Sequence, residues 1–210
     1  MSTISRIERG RLGRMSFDDV GRVGAALDIR VDLVPRWRGA ELDRMLGAGH
    51  AVLHELVARI LESTAWAMAP EASFAIYGER GAIDVLAFHP RSGALLVVEL
   101  KTDLVDIQGL IGAVDRYRRL APIVASQRGW ESRTVSSWVV LRDSPANHRR
   151  LAAHSTVLRT AFPDDGRRVR GWLARPAGAI SALSFLSDSH ARTAISASAG
   201  VKRVRRARTA

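Results

Sequence analysis

Three charged residues sit where a buried strand would place them next to one another: Asp84, Glu99 and Lys101. Two carboxylates beside an ammonium suit one chemistry in particular, a Mg²⁺ (or Mn²⁺) site acting on a phosphodiester. Mg²⁺ takes one or two carboxylates plus waters, and a lysine is a compact charge that can orient, or when desolvated deprotonate, an attacking water. Of the 32 basic residues 30 are arginine, and only Lys101 and Lys202 are lysine. Against that bias, a lysine retained inside a strand points to lysine chemistry rather than to a decorative surface pair with Glu99.

The elements that must hold this trio are legible from periodicity. Residues 94–101, ALLVVELK, are apolar at six of eight positions and read as a buried strand. Alternation puts Leu95, Val97, Glu99 and Lys101 on one face and Leu96, Val98 and Leu100 on the other. Ala82–Phe88 reads as a second strand carrying Asp84, and His89-Pro90-Arg91-Ser92-Gly93 as the turn between them. A helix is expected from Glu41 to about Thr64, with Leu46, Leu53, Leu56, Val57 and Ile60 inward, then a strand over Glu71–Tyr77. The Gly78-Glu79-Arg80-Gly81 stretch joins it to the next strand, with Glu79 and Arg80 read as a turn ion pair or as groups at the mouth of the site. A helix follows from Ile107 to about Val124, then a strand over Val135–Leu141, a helix over 145–162, and short strands over Val169–Leu173 and Ala182–Leu186.

Asp84 with Glu99-Leu100-Lys101 on adjacent strands resembles the PD-(D/E)XK nuclease superfamily, over roughly residues 41–142. The resemblance implies an α/β (α+β) fold with a restriction-endonuclease-like core: helix, three strands, helix, strand, in a mixed sheet flanked by helices. It implies that Asp84, Glu99 and the Leu100 carbonyl bind the metal and that Lys101 handles the water. The first helix of such a fold often adds a glutamate, for which Glu55 is the candidate. Ile83 stands where the family name has proline, and Gly112 where a variant motif beginning at Gln108 has tyrosine. Many nucleases of this fold act as homodimers, and no dimer face is identifiable from this sequence. His50 and His54, at i and i+4, have a metal-binding spacing but no third ligand in sequence, and read as surface or core histidines.

Residues 1–30 form a small N-terminal helical piece. Ser16, with Asp19 three residues on, starts a capped helix whose apolar face is Phe17, Val20, Val23 and Leu27. Together with Ile7-Glu8-Arg9-Gly10 it resembles the second half of a Cro/repressor-type (XRE-like) helix-turn-helix. The first two helices of such a domain are absent from these residues, so the resemblance implies a start further upstream or a remnant. It also supplies the alternative to an enzyme: a DNA-binding transcriptional regulator whose nuclease-like domain is non-catalytic. Residues 31–40 read as a connector, 41–186 as the nuclease-like domain and 187–210 as a disordered basic tail.

The net charge is +11, and residues 187–210 carry six basic residues against one acidic. Such a balance favours nucleic acid, most simply DNA, through phosphate neutralisation. Lys202, Arg203, Arg205, Arg206 and Arg208 in the tail, and Arg80 near the trio, are the candidate phosphate contacts. There is no cysteine, which excludes disulfides, zinc-thiolate sites and cysteine nucleophiles. No apolar run approaches the ~18 residues that span a membrane, and the first residues lack a signal-peptide core. A cytoplasmic protein is expected.

Overall fold

The computed structural model describes residues 16–28 and 40–187, and the side chains of Phe17 and residues 40–46 lie outside that description. The Ile7–Gly10 segment, all but the last residue of the 31–40 connector and all but the first residue of the 187–210 basic tail of the sequence reading fall outside the described residues. The chain divides into two compact units, Met1–Arg38 and Gly39–Ala210.

In the first unit, helix α1 (Phe17–Ala26) begins as its sequence demands. The Ser16 hydroxyl accepts from the Asp19 N–H at 3.2 Å, and the Ser16 N–H donates back to the Asp19 carboxylate at 3.2 Å. This reciprocal capping satisfies two of the amides that a helix start leaves without partners.

The second unit holds the remaining elements. They run α2 (Ala40–Glu62), β1 (Ala67–Ile76), β2 (Glu79–His89), β3 (Ala94–Lys101), α3 (Ile107–Ser126), β4 (Thr134–Arg142), α4 (Pro145–Ala153), α5 (Ser155–Ala161), α6 (Gly166–Ala174) and β5 (Ser181–Leu186). The strands form one five-stranded mixed sheet in sequence order. β1–β2 and β2–β3 are antiparallel, and β3–β4 and β4–β5 are parallel. The helix–three strands–helix–strand order therefore stands as an α/β arrangement with helices on the sheet faces.

β3 lies in the middle of the sheet and is buried from Ala94 to Leu100. Leu96, Val98 and Leu100 pack with Leu53, Leu56 and Val57 of α2. Leu95 and Val97 pack with Tyr117, Leu120 and Val124 of α3. Each such leucine, fully buried, contributes roughly 1.5–3 kcal/mol, so the strand carrying Glu99 and Lys101 is anchored from both sides. α6 adds Val169, Trp172 and Leu173 to the α2 side. Residues 169–173 are thus helical rather than a strand. Asp165 caps the helix by accepting from the Arg167 and Arg168 N–H groups, and the apolar residues recur at i, i+3 and i+4. The helix expected over 145–162 breaks at His154 into α4 and α5. β1 starts at Ala67, four residues before the expected Glu71. Among the described residues, no helix is long and apolar enough to cross a membrane.

Candidate functional site: the open end of the β2–β3 pair

The paired register of β2 with β3 runs from His89–Ala94 at the turn to Val85–Val98. The next step along both strands brings Asp84 level with Glu99. There the regular ladder stops, and the Leu100 N–H donates instead to Asp84 Oδ2 at 2.7 Å. A carboxylate thus replaces a backbone acceptor, which fixes the Asp84 side chain at the point where the strands part.

Side-chain alternation slips at the same level. Ile83 and Leu86 both pack on the α3 side of the sheet, whereas Val85 and Ala87 pack on the α2 side. In β1, Ala69 and Ala72 likewise share the α3 side across Pro70 and Glu71. Glu71 takes a left-handed backbone at φ 47°, a conformation a non-glycine residue adopts at a cost of order 1 kcal/mol or more. The slip explains how Asp84 meets a group from α2: Asp84 Oδ1 lies 3.7 Å from His50 Nε2, which is also 3.8 Å from Glu71 Oε1. Gly49 allows the approach, because a Cβ there would stand 3.0 Å from the Thr102 methyl, directly after β3.

Glu99 is 4% exposed and meets Lys101 Nζ at 2.7 Å through Oε1. Its other oxygen, Oε2, is buried with no hydrogen-bond partner. Burial, and then the charge of Asp84, push the Glu99 carboxyl above the ordinary carboxylate range, while Lys101 and His50 pull the other way. Burial alone would lower Lys101, but the charge and hydrogen bond of Glu99, with Asp84 behind them, hold its ammonium above the usual value. In this arrangement Lys101 is a proton-bearing group that donates and orients.

Lys101 borders a cleft of about 660 Å³ whose lining also includes His50, His54, Glu71, Asp84 and Leu100, whereas the buried Glu99 is not part of the lining. The ligand atoms of His50, Glu71 and Asp84 all lie within 4.8 Å of one another. The two His50 distances are too long for hydrogen bonds and are of the size expected between donors that share a cation. Glu99, close enough to feel the charges of Asp84 and His50, adds a buried oxygen with no hydrogen-bond partner. The residues present therefore fit a divalent cation. Carboxylates suit Mg²⁺ and Mn²⁺, and the imidazole adds a donor that transition metals accept.

Asp84, Glu99, Leu100 and Lys101 come together, as their spacing suggested. Glu55 does not join them: it is exposed and paired with Arg59, one helical turn on. α2 instead presents His50, and β1 presents Glu71. The i, i+4 pairing of His50 with His54 pointed to the wrong partner, since the other groups come from β1 and β2. Arg80 is exposed beside the β1–β2 turn, and its neighbour Glu79 pairs with Arg119 of α3 at 2.6 Å rather than with Arg80. The tail residues Lys202, Arg203, Arg205, Arg206 and Arg208 lie outside the described residues. The strand end is steadied by Asn147, which is fully buried. Its side chain accepts from the Leu104 N–H at 2.9 Å and donates to the carbonyls of Thr102 at 3.0 Å and Arg142 at 2.9 Å. Nothing in the local sequence marks Glu71 or Asn147, because each is brought in by tertiary contact. No protein-family profile and no curated protein matches the chain.

Proposed function

We propose that the chain is a divalent-metal-dependent phosphodiesterase acting on DNA, with a PD-(D/E)XK-type site in a restriction-endonuclease-like core. The observation that carries this reading is the convergence of Asp84, Glu99 and Lys101 at the open end of β2–β3, with Asp84 and Lys101 sharing one cleft with His50 and Glu71. Asp84, Glu99 and the Leu100 carbonyl would hold Mg²⁺ or Mn²⁺, with His50 and Glu71 completing the set. A bound divalent ion lowers the pKa of water and offsets charge developing on the phosphate.

The protein's own groups do the rest. Asp84 is fixed by the Leu100 amide, so the carboxylate is pre-oriented before any ligand arrives. Lys101 reaches from the Glu99 carboxylate towards the cleft and donates a hydrogen bond that orients the attacking water or a non-bridging phosphate oxygen. The burial of Glu99 keeps bulk water from the far side of the site and strengthens each of these interactions. A second reading, a DNA-binding regulator with a non-catalytic core, is favoured by the capped helix α1.

Cleavage of plasmid and branched DNA with Mg²⁺ or Mn²⁺, compared with EDTA and with Lys101→Ala and Asp84→Ala, separates the two. Metal-dependent cleavage lost in both variants is the expected result. DNA binding that ignores metal, with no cleavage of any substrate, would overturn the enzyme reading.

A further inference from the structure

The β1–β2 hairpin closes through two residues, Tyr77 and Gly78, between the paired Ile76 and Glu79. Both have positive φ, 51° and 79°, which is the type I′ turn that matches strand twist and favours Asn-Gly. Tyrosine is a poor choice for the first position, because a left-handed backbone crowds its Cβ. Nor does packing compensate. Tyr77 is 84% exposed, whereas the other exposed large apolar residues range from 41% to 63%. Among the described residues it has no ring contact and no side-chain hydrogen bond. A rigid, two-residue turn therefore holds a bare aromatic ring out in solvent against local preference, and strain of that kind clusters where a residue serves function.

The surroundings indicate what the ring would meet. Arg80 is exposed beside the tip. Arg119, itself largely exposed, is tied to the hairpin through Glu79. Beneath the tip, Phe74 packs edge-on against Tyr117 at 5.9 Å, so the hairpin is braced on α3. An aromatic face flanked by guanidinium groups is the combination that stacks on a nucleobase while holding neighbouring phosphates. At strand rise the tip lies roughly 23 Å along β2 from Asp84, which is about six or seven nucleotides at ~3.4 Å each.

We infer that Tyr77 is a base-stacking residue and that the preferred substrate is DNA with unpaired bases next to a duplex. This rests on the nucleic-acid reading above and deepens it. A ring on a stiff hairpin reaches a base face cheaply only where the base is already unstacked, since opening a duplex step adds an energetic cost.

The test is binding in EDTA, so that cleavage does not intervene. Its probes are a forked duplex carrying 2-aminopurine at successive positions of the unpaired arm and the matching blunt duplex. Tyr77→Asn is the informative variant because asparagine suits the turn. It should melt at or above the wild-type temperature yet bind the fork about 10-fold more weakly, the lower range of aromatic–base stacking. Blunt-duplex affinity should change less than about 2-fold. Tyr77→Trp should retain fork binding, and 2-aminopurine fluorescence should respond at one or two adjacent positions in the wild type and Tyr77→Trp but not in Tyr77→Asn. Equal fork binding by wild type and Tyr77→Asn would overturn the inference. So would a change of oligomeric state in Tyr77→Asn, measured by light scattering, which would assign the tip to protein contact. Tyr77-dependent fork binding without metal-dependent cleavage would leave this inference standing and remove only the nuclease reading.

Discussion

The two ends of the β2–β3 pair are built on opposite principles. At the closed end no buried side-chain polar atom among the described residues is orphaned, and the turn is pinned by three bonds: the Gly93 N–H donates to the His89 carbonyl at 2.9 Å, His89 Nδ1 meets the Ser92 hydroxyl at 2.9 Å, and the Arg133 N–H donates to the Gly93 carbonyl at 2.7 Å. The His89 ring lies against Trp66, centroids 5.3 Å apart. At the open end carboxylates gather from three strands, alternation slips, a glutamate sits in a left-handed conformation and a buried carboxylate oxygen has no partner. The same two strands thus pass from full satisfaction to concentrated dissatisfaction within a few residues. Stability alone would fill the open end with apolar side chains, because a buried charge is worth little to folding even when paired. The difference is the one that a ligand site at this end, as proposed above, would produce.

That contrast can be broken from either side. Replacing the open-end groups should cost activity rather than stability. Lys101→Ala and Asp84→Ala are each expected to slow metal-dependent DNA cleavage by at least about 10³-fold, roughly 4 kcal/mol of transition-state stabilisation. Lys101→Gln, which keeps a hydrogen-bond donor for the buried Glu99 carboxylate, should do so with little change in melting temperature. Replacing the anchoring side chains should do the reverse. Leu95→Ala, at a fully buried position of β3, is expected to destabilise by roughly 2–5 kcal/mol in denaturant titrations, with any lost activity tracking the unfolded fraction. Asn147→Ala lies between the two. Losing its hydrogen bonds to Leu104, Thr102 and Arg142 should cost about 2–3 kcal/mol and also lower the turnover of the folded protein, because the Thr102 carbonyl it holds adjoins Lys101.

The closed end carries a pH signature. Burial, and then the nearby Arg91 charge, lower the His89 pKa from its ordinary 6.5. The unfolded chain therefore binds the proton more readily than the folded one. Stability should be fully present above pH 6.5 and decline as pH falls below that value towards the folded pKa. Melting curves of wild type and His89→Gln between neutral and mildly acidic pH should diverge in that direction. The smallest effect is expected at Glu55. Its alanine variant should leave cleavage unchanged and shift stability within about 0.5 kcal/mol, because its exposed pair with Arg59 contributes little.

Much of this was legible in the chain itself, for identifiable reasons. The apolar run of β3, the helical spacing of Leu110, Val114, Tyr117 and Leu120, and the Ser16–Asp19 capping box are local signals, and each element formed where its pattern placed it. Asp84, Glu99 and Lys101 were found because a hairpin turns sequence spacing into spatial proximity. The misses have separate causes. α6 reads as a strand if Val169–Leu173 is taken as a short apolar run, although Asp165 in the capping position and the spacing of Val169, Trp172 and Leu173 mark a helix. β1 is hidden at its start by Pro70, which a strand tolerates at the sheet edge. Glu55 was the candidate because the resemblance calls for a glutamate from the first helix and Glu55 neighbours the apolar stripe, whereas His50 read as a surface or core histidine. Which residue of α2 reaches the cleft depends on the close approach at Gly49 and on the slip at Asp84, and neither is written in any periodicity.

The central claim is that the open end of β2–β3 is a metal centre, and direct Mn²⁺ binding tests it most closely. Electron paramagnetic resonance of free Mn²⁺, titrated against the wild-type protein, His50→Ala, Asp84→Ala and Lys101→Ala, reads occupancy without reference to any substrate. The account predicts saturable Mn²⁺ binding by the wild type, weakened in His50→Ala, lost in Asp84→Ala and retained in Lys101→Ala. Absence of saturable binding, or binding that Asp84→Ala leaves unchanged, would contradict it.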